Sequence, residues 1–298
     1  MAFFFLSLFT FIMFFQPGIV FPEVAVYNPY RYSAIAAIAA FLITSGRYKG
    51  KILSIANARY FMLFVFAQVL SASSIWLRGG VDILLNIWLN LVIIYFLIVK
   101  ICDDERKIKI ILMMIILGIA YLSYYSLYNY YLKYGTPDNR TSGYGIYENR
   151  NDLVLILVTV IPMIFSLAEL SVRRIFRVLL LILAGFFAFN VLLAGSRNGL
   201  LGLASVGSLS IIFFKKIAKP IRIAMVVLLI FSIVGIGIET VLTRSDLEGR
   251  LSGDGSSEDR IIQWKACLRM VIDHPFLGVG PNESPYTMIK YGGVRGLA

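Results

Sequence analysis

The sequence is poor in what a soluble domain uses to face water. Only 15% of its 298 residues are charged and 59% are hydrophobic, whereas soluble domains run nearer a quarter charged and half apolar. One histidine, His274, and two cysteines, Cys102 and Cys267, give no Cys/His cluster at metal-ligand spacing. No metal and no cofactor is therefore expected. Ten-residue segments of alternating polarity are missing, which excludes an outer-membrane barrel. The N-terminus is apolar from Ala2 onward with no basic region ahead of it, so a cleaved signal peptide is not expected. No nucleotide-binding loop is evident either.

What the chain has instead is long apolar runs. About 20 residues suffice to cross a bilayer as a helix, and in lipid only helices or closed barrels satisfy their own backbone. The fold class read from this is all-α, a polytopic integral membrane protein of about nine transmembrane helices with an extracytoplasmic loop that contains a short helix. The spans fall at Phe3–Phe21, Val24–Ile43, Phe61–Leu77, Ile83–Val99, Ile108–Tyr128, Leu153–Ala168, Val178–Ala194, Leu200–Phe214 and Ile223–Leu242. Gln16-Pro17 interrupts the first and Asn28-Pro29 the second. Three regions follow: N-terminal helices over 1–128, a membrane core over 129–242 and an extracytoplasmic loop over 243–298.

The net charge of +11 would suggest nucleic acid in a soluble protein. Here it is read as topology, and no nucleic-acid partner is expected. Four loops carry most of the basic residues: Arg47 to Arg59, Lys100 to Lys109, Arg173 to Arg177 and Lys215 to Arg222. The alternate loops hold only Arg78, Lys133, Arg140, Arg150 and Arg197. Short loops rich in Lys and Arg stay cytoplasmic, so the alternate loops and the segment after Leu242 are expected outside. Cys102 and Cys267 then lie on opposite sides and form no bridge.

Three outer segments carry polar chemistry. The first is Gly143-Tyr-Gly-Ile-Tyr-Glu-Asn-Arg-Asn-Asp152. It fits an interfacial aromatic belt with Asn151 or Asp152 capping the sixth span. It equally fits a polar wall whose amides, Asn149 and Asn151, bond sugar hydroxyls while tyrosines stack on pyranose faces. The second is the tight turn Gly195-Ser-Arg-Asn-Gly199. An arginine there is costly unless it snorkels or finds a partner, and its planar fork matches phosphate bidentately. The third is the terminal loop, with Ser256-Ser-Glu-Asp259 starting a helix from about Arg260 to Ile272 that Pro275 ends. Arg260 and Trp264, four residues apart, share a face and suit either a sugar-phosphate headgroup or a structural cation–π pair. His274 is a conceivable base, although Asp-His-Pro-Phe-Leu-Gly reads first as a helix terminator. Arg250 adds a further cation in this loop.

Taken in order, Gly145 to Asn151, Ser196-Arg-Asn-Gly199, Arg260-x-x-x-Trp264 and Asp273-His-Pro-Phe-Leu-Gly-Val-Gly-Pro-Asn282 resemble the O-antigen ligase and polymerase superfamily of bacterial membrane glycosyltransferases. The resemblance spans roughly residues 140–285. It implies transfer of a glycan from undecaprenyl diphosphate, on the outer side of the inner membrane, to a lipid A-core or polysaccharide acceptor. By position Arg197 and Arg260 would bind the diphosphate, and Trp264, Asn149, Asn151 and Arg250 would complete the substrate contacts. Arginines can stabilise a departing diphosphate without a metal. The expected partners are thus the undecaprenyl-diphosphate-linked glycan, its acceptor and membrane lipid.

One departure bears on catalysis. In the ligases the important histidine lies beyond the Gly-Val-Gly segment in a His-Asn context followed by further spans, and no such motif occurs up to Ala298. His274 matches the family's Asp-His-Pro turn instead. The chain is therefore expected to be C-terminally truncated, with no activity alone, or to use another base. A transporter or flippase of lipid-linked sugars is the alternative, but transporters place ionisable groups near the membrane midplane, and these spans carry almost none.

Overall fold

The computed structural model describes residues 1–47, 56–75, 81, 84–134, 141–213, 256–280 and 284–292. Among the described residues the regular structure is entirely helical, as the apolar runs require. The helices are α1 (Ala2–Phe15), α2 (Pro29–Thr44), α3 (Ala56–Ile75), α4 (Leu89–Ile101), α5 (Glu105–Tyr128), α6 (Arg150–Leu170), α7 (Arg174–Leu193), α8 (Arg197–Phe213), α9 (Ser256–Asp273) and α10 (Ser284–Lys290). Single-turn helices Pro17–Val20 and Pro22–Ala25 connect α1 to α2.

Eight of the nine expected spans thus correspond to helical segments, and the ninth, Ile223–Leu242, lies outside the described residues. The first two are shorter than their apolar runs. Gln16 and Asn28 both adopt left-handed backbone, at φ 49° and 41°, and a proline follows each. Proline disfavours helical backbone in the residue before it, so α1 ends at Phe15 rather than Phe21 and α2 starts at Pro29 rather than Val24. At 1.5 Å per residue, the 14 residues of α1 reach only about 21 Å, short of the roughly 30 Å hydrocarbon core. Among the described residues three helical segments are long and apolar enough to cross a membrane: Glu105–Leu132, which extends α5 by a π turn, Arg150–Leu170 and Arg174–Leu193.

The chain forms two compact units. The first comprises residues 1–45 and 102–244. Its centre is α6, which packs most extensively on α7 and also on α5 and α8, while α1 lies between α2 and α5. Leu153, Leu157, Val160, Ile164 and Ala168 of α6 recur at helical spacing and are buried. They meet Ile116, Ile119 and Leu122 of α5 and Leu180, Ala184, Phe187 and Val191 of α7 in one apolar cluster. The chain reverses between α6 and α7 over Ser171–Arg173. Arg177 closes that end of α6 by donating from Nε to Ala168 O at 3.1 Å and from Nη2 to Ser171 O at 2.7 Å.

The second unit comprises residues 46–101 and 245–298. A π turn, Leu84–Trp88, leads into α4, and α9 packs on α10. The side chain of Ser71 on α3 donates to Leu277 O, and Arg269 Nη1 donates to Tyr291 O at 3.3 Å.

Candidate functional site

The segments 141–152 and 195–199 of the first unit meet at the starts of α6 and α8. Asn149, rather than Asn151 or Asp152, caps α6: its Oδ1 accepts the Asn151 N–H at 2.9 Å. Asn151 falls in the first turn, where its Oδ1 accepts from Ser196 Oγ at 2.9 Å. Ser196 is buried and in turn accepts the Gly199 N–H at 3.4 Å, capping α8. Arg197 is the first residue of α8. Because α6 and α8 both begin here, two sets of unpaired helix N–H groups and two positive dipole ends converge on one hydrogen-bonded corner. Asn149 and Asn151 are exposed.

Close approach of α8 to α6 makes this corner possible, and Gly199 permits it. A Cβ at that position would lie 2.2 Å from Val154 Cγ1 and 3.1 Å from Val191 Cγ1, so only glycine fits.

Beneath the corner lies a buried polar node that sequence reasoning missed. Asn190, fully buried on α7, donates from Nδ2 to Ser123 O at 3.1 Å and to Ser123 Oγ at 3.0 Å. Its Oδ1 accepts from Ser126 Oγ at 3.5 Å. Thr141 joins α7 from the segment that precedes α6: its Oγ1 donates to Asn190 O at 3.3 Å and its N–H to Leu193 O at 3.3 Å. The available signal was a lone amide in the apolar run Phe186–Leu193.

Tyr144 resolves differently from the sugar-stacking reading. Tyr144 is buried in the main apolar cluster, with its ring edge-on to Tyr125 at 4.9 Å. Its hydroxyl donates to Phe15 O at 2.8 Å, supplying a partner for the open end of α1. Burial pushes its phenol well above the ordinary range, and Tyr147 is raised for the same reason. Tyr144 is therefore a packing residue and no sugar platform. Gly145 between them has φ 59°, and Gln16 Oε1 would lie 2.3 Å from a Cβ there. Beside this turn an apolar pocket of about 450 Å³ is lined by Ile12, Met13, Ile19, Tyr30 and Ile146.

In the second unit, α9 begins at Ser256, so Ser256–Asp259 form its first turn and Arg260 lies within it. Trp264, one turn further, is 68% exposed. The helix ends at Asp273, as Pro275 foretold. Exposed His274 enters the turn that follows, its N–H bonded to Met270 O at 2.9 Å and its O accepting from Gly278 N at 3.1 Å. Tyr291 bonds Asp273, and that bond raises its phenol. Arg250 lies outside the described residues. No group of three His, Cys, Asp or Glu is arranged to hold a metal among the described residues.

Comparison with curated proteins and with solved structures gives no match. Residues 178–294 match the family model described as O-antigen ligase. This stretch holds Ser196–Gly199, Arg250, Arg260–Trp264 and His274, whereas Asn149 and Asn151 precede it. The match supports a membrane glycosyltransferase-like role in polysaccharide biosynthesis. This match over residues 178–294 supports a place for the chain in the O-antigen ligase and polymerase superfamily.

Proposed function

We propose that the protein takes part in transferring a glycan from undecaprenyl diphosphate to a lipid A-core or polysaccharide acceptor at the outer face of a bacterial inner membrane. The observation that carries this reading is the Ser196–Asn151 corner, which sets the first residue of α8, Arg197, beside exposed amides at the start of α6. Helix N-termini favour anions, and an arginine fork matches a diphosphate. Exposed Asn149 and Asn151 suit sugar hydroxyls. The apolar pocket that Ile146 lines on the same outer segment suits a donor with a polar head and a hydrocarbon chain.

In this reading the acceptor hydroxyl oxygen bonds to the anomeric carbon as the bond from that carbon to the lipid diphosphate breaks; the hydroxyl proton passes to water or the departing diphosphate, whose growing charge is held by arginine. Arg197 and Arg260 lie in different compact units, and the assignment of each to the diphosphate is carried by the family resemblance. Trp264 and Arg250 are assigned to the glycan-diphosphate on the same ground. His274 is the one histidine in the sequence and is exposed, yet it matches the family's turn and not its His-Asn histidine.

The test is the sidedness of accumulated donor in cells carrying Arg197→Gln or Arg260→Gln. A transferase defect leaves flipped donor on the outer face. Donor trapped on the inner face would assign the protein to transport, and no accumulation at all would leave neither arginine a role.

A further inference from the structure

At the opposite end of α5, α6 and α7 from the Ser196 corner lies a pocket of about 400 Å³, open on one side to the surroundings. It is lined by Arg106 and Lys109 from the first turns of α5 and by Met113, Leu167, Leu170 and Phe176 from all three helices. From this combination we infer that the pocket is a binding site for an anionic glycerophospholipid, with its phosphate on the two cations and an acyl chain along the apolar wall.

Charge complementarity points to the occupant. Arg106 is exposed and has no ion pair among the described residues. Lys109 pairs with Glu105 at 2.7 Å, but both side chains are well exposed, at 38% and 68%. An exposed pair contributes little, so a lipid phosphate displaces the carboxylate at small cost. Arg177 nearby is already occupied by the Ala168 and Ser171 carbonyls, which leaves Arg106 and Lys109 for the headgroup. The walls decide between a lipid and a soluble anion. They belong to the three segments long and apolar enough to cross a membrane, and basic pockets between such helices take anionic headgroups. The volume falls within the roughly 300–1,000 Å³ of small-ligand sites.

The test uses the full chain in vesicles of equal parts phosphatidylethanolamine and phosphatidylglycerol, followed by detergent washing and measurement of the retained lipid. The unsubstituted protein is expected to hold phosphatidylglycerol in preference to phosphatidylethanolamine. In the R106Q/K109Q variant that retention falls on the order of tenfold. Met113→Trp, which fills the apolar part and leaves both cations, is expected to lose the lipid as well. Retention by R106Q/K109Q equal to the unsubstituted protein would overturn the site. So would retention by M113W, since the cations would then attract lipid without a pocket. A thermal shift from inorganic phosphate alone, equal to that from phosphatidylglycerol, would assign the pocket to a soluble anion and overturn the proposal too.

Discussion

Ser196 Oγ donates to Asn151 Oδ1 at 2.9 Å while accepting the Gly199 N–H at 3.4 Å, so one buried hydroxyl both caps α8 and holds the start of α6. A single side chain thereby fixes the relation between exposed Asn151 and the backbone of Arg197. Ser196→Ala is expected to cost about 1 kcal/mol from the cap alone, read by thermal denaturation in detergent. In a double-mutant cycle with Asn151→Ala the two losses should be non-additive by about 0.5–1.5 kcal/mol. Strict additivity would mean that the two side chains do not interact.

Gly199 is expected to tolerate no side chain. Gly199→Ala pushes a methyl against Val154 Cγ1, and overpacking of this kind costs about 1–3 kcal/mol. Adding Val154→Ala should recover part of the loss by opening the space. A thermal midpoint unchanged by Gly199→Ala would show that α8 does not pack closely on α6.

The Asn190 node is expected to hold α5 and α7 together. Interhelical hydrogen bonds in membranes average about 0.6 kcal/mol and reach about 1.7, so Asn190→Leu should cost on the order of 1 kcal/mol with several bonds lost at once. Ser123→Ala in the same background should cost little more, because its partner is already gone. Unfolding of the single and double variants in detergent measures both.

Cys102, in the short connection between α4 and α5, should be a slow nucleophile. Burial pushes its thiol up to about 11; Lys107 works in the opposite direction, and Asp103 and Asp104 add to the rise. Burial disfavours the charged thiolate, so the alkylation rate in a Cys267→Ser background should still climb about tenfold per pH unit from pH 8 to 10. An ordinary thiol, with pKa near 8.5, would level off in that range. A plateau near pH 9 would contradict the burial of Cys102.

Much of the helical layout was legible because apolar runs, basic loops and prolines are local signals. Pro275 marked the end of α9, and Gln16-Pro17 and Asn28-Pro29 marked breaks whose consequence, two shortened helices, depends on left-handed backbone that hydropathy does not register. The cap of α6 was displaced to Asn149 because Asn149, Asn151 and Asp152 can all serve, and only the Ser196 bond decides that Asn151 turns elsewhere. Tyr144 looked available to a sugar because its exposure depends on α1 and Tyr125, far away in sequence. Asn190 was passed over because a lone amide in an apolar run acquires meaning only from Ser123, Ser126 and Thr141. The close approach at the turn, by contrast, was legible from its glycines, and Gly199 proved to be the close-contact residue.

The most direct measurement is binding of an undecaprenyl-diphosphate-linked glycan to the purified chain, compared among the unsubstituted protein, Arg197→Gln and Arg260→Gln, with undecaprenol as the uncharged control. Hydrogen bonds to charged groups are worth about 1.5–3 kcal/mol, so each substitution should weaken diphosphate binding on the order of tenfold or more and leave undecaprenol binding unchanged. Equal affinity of all three proteins for the diphosphate donor would contradict the account.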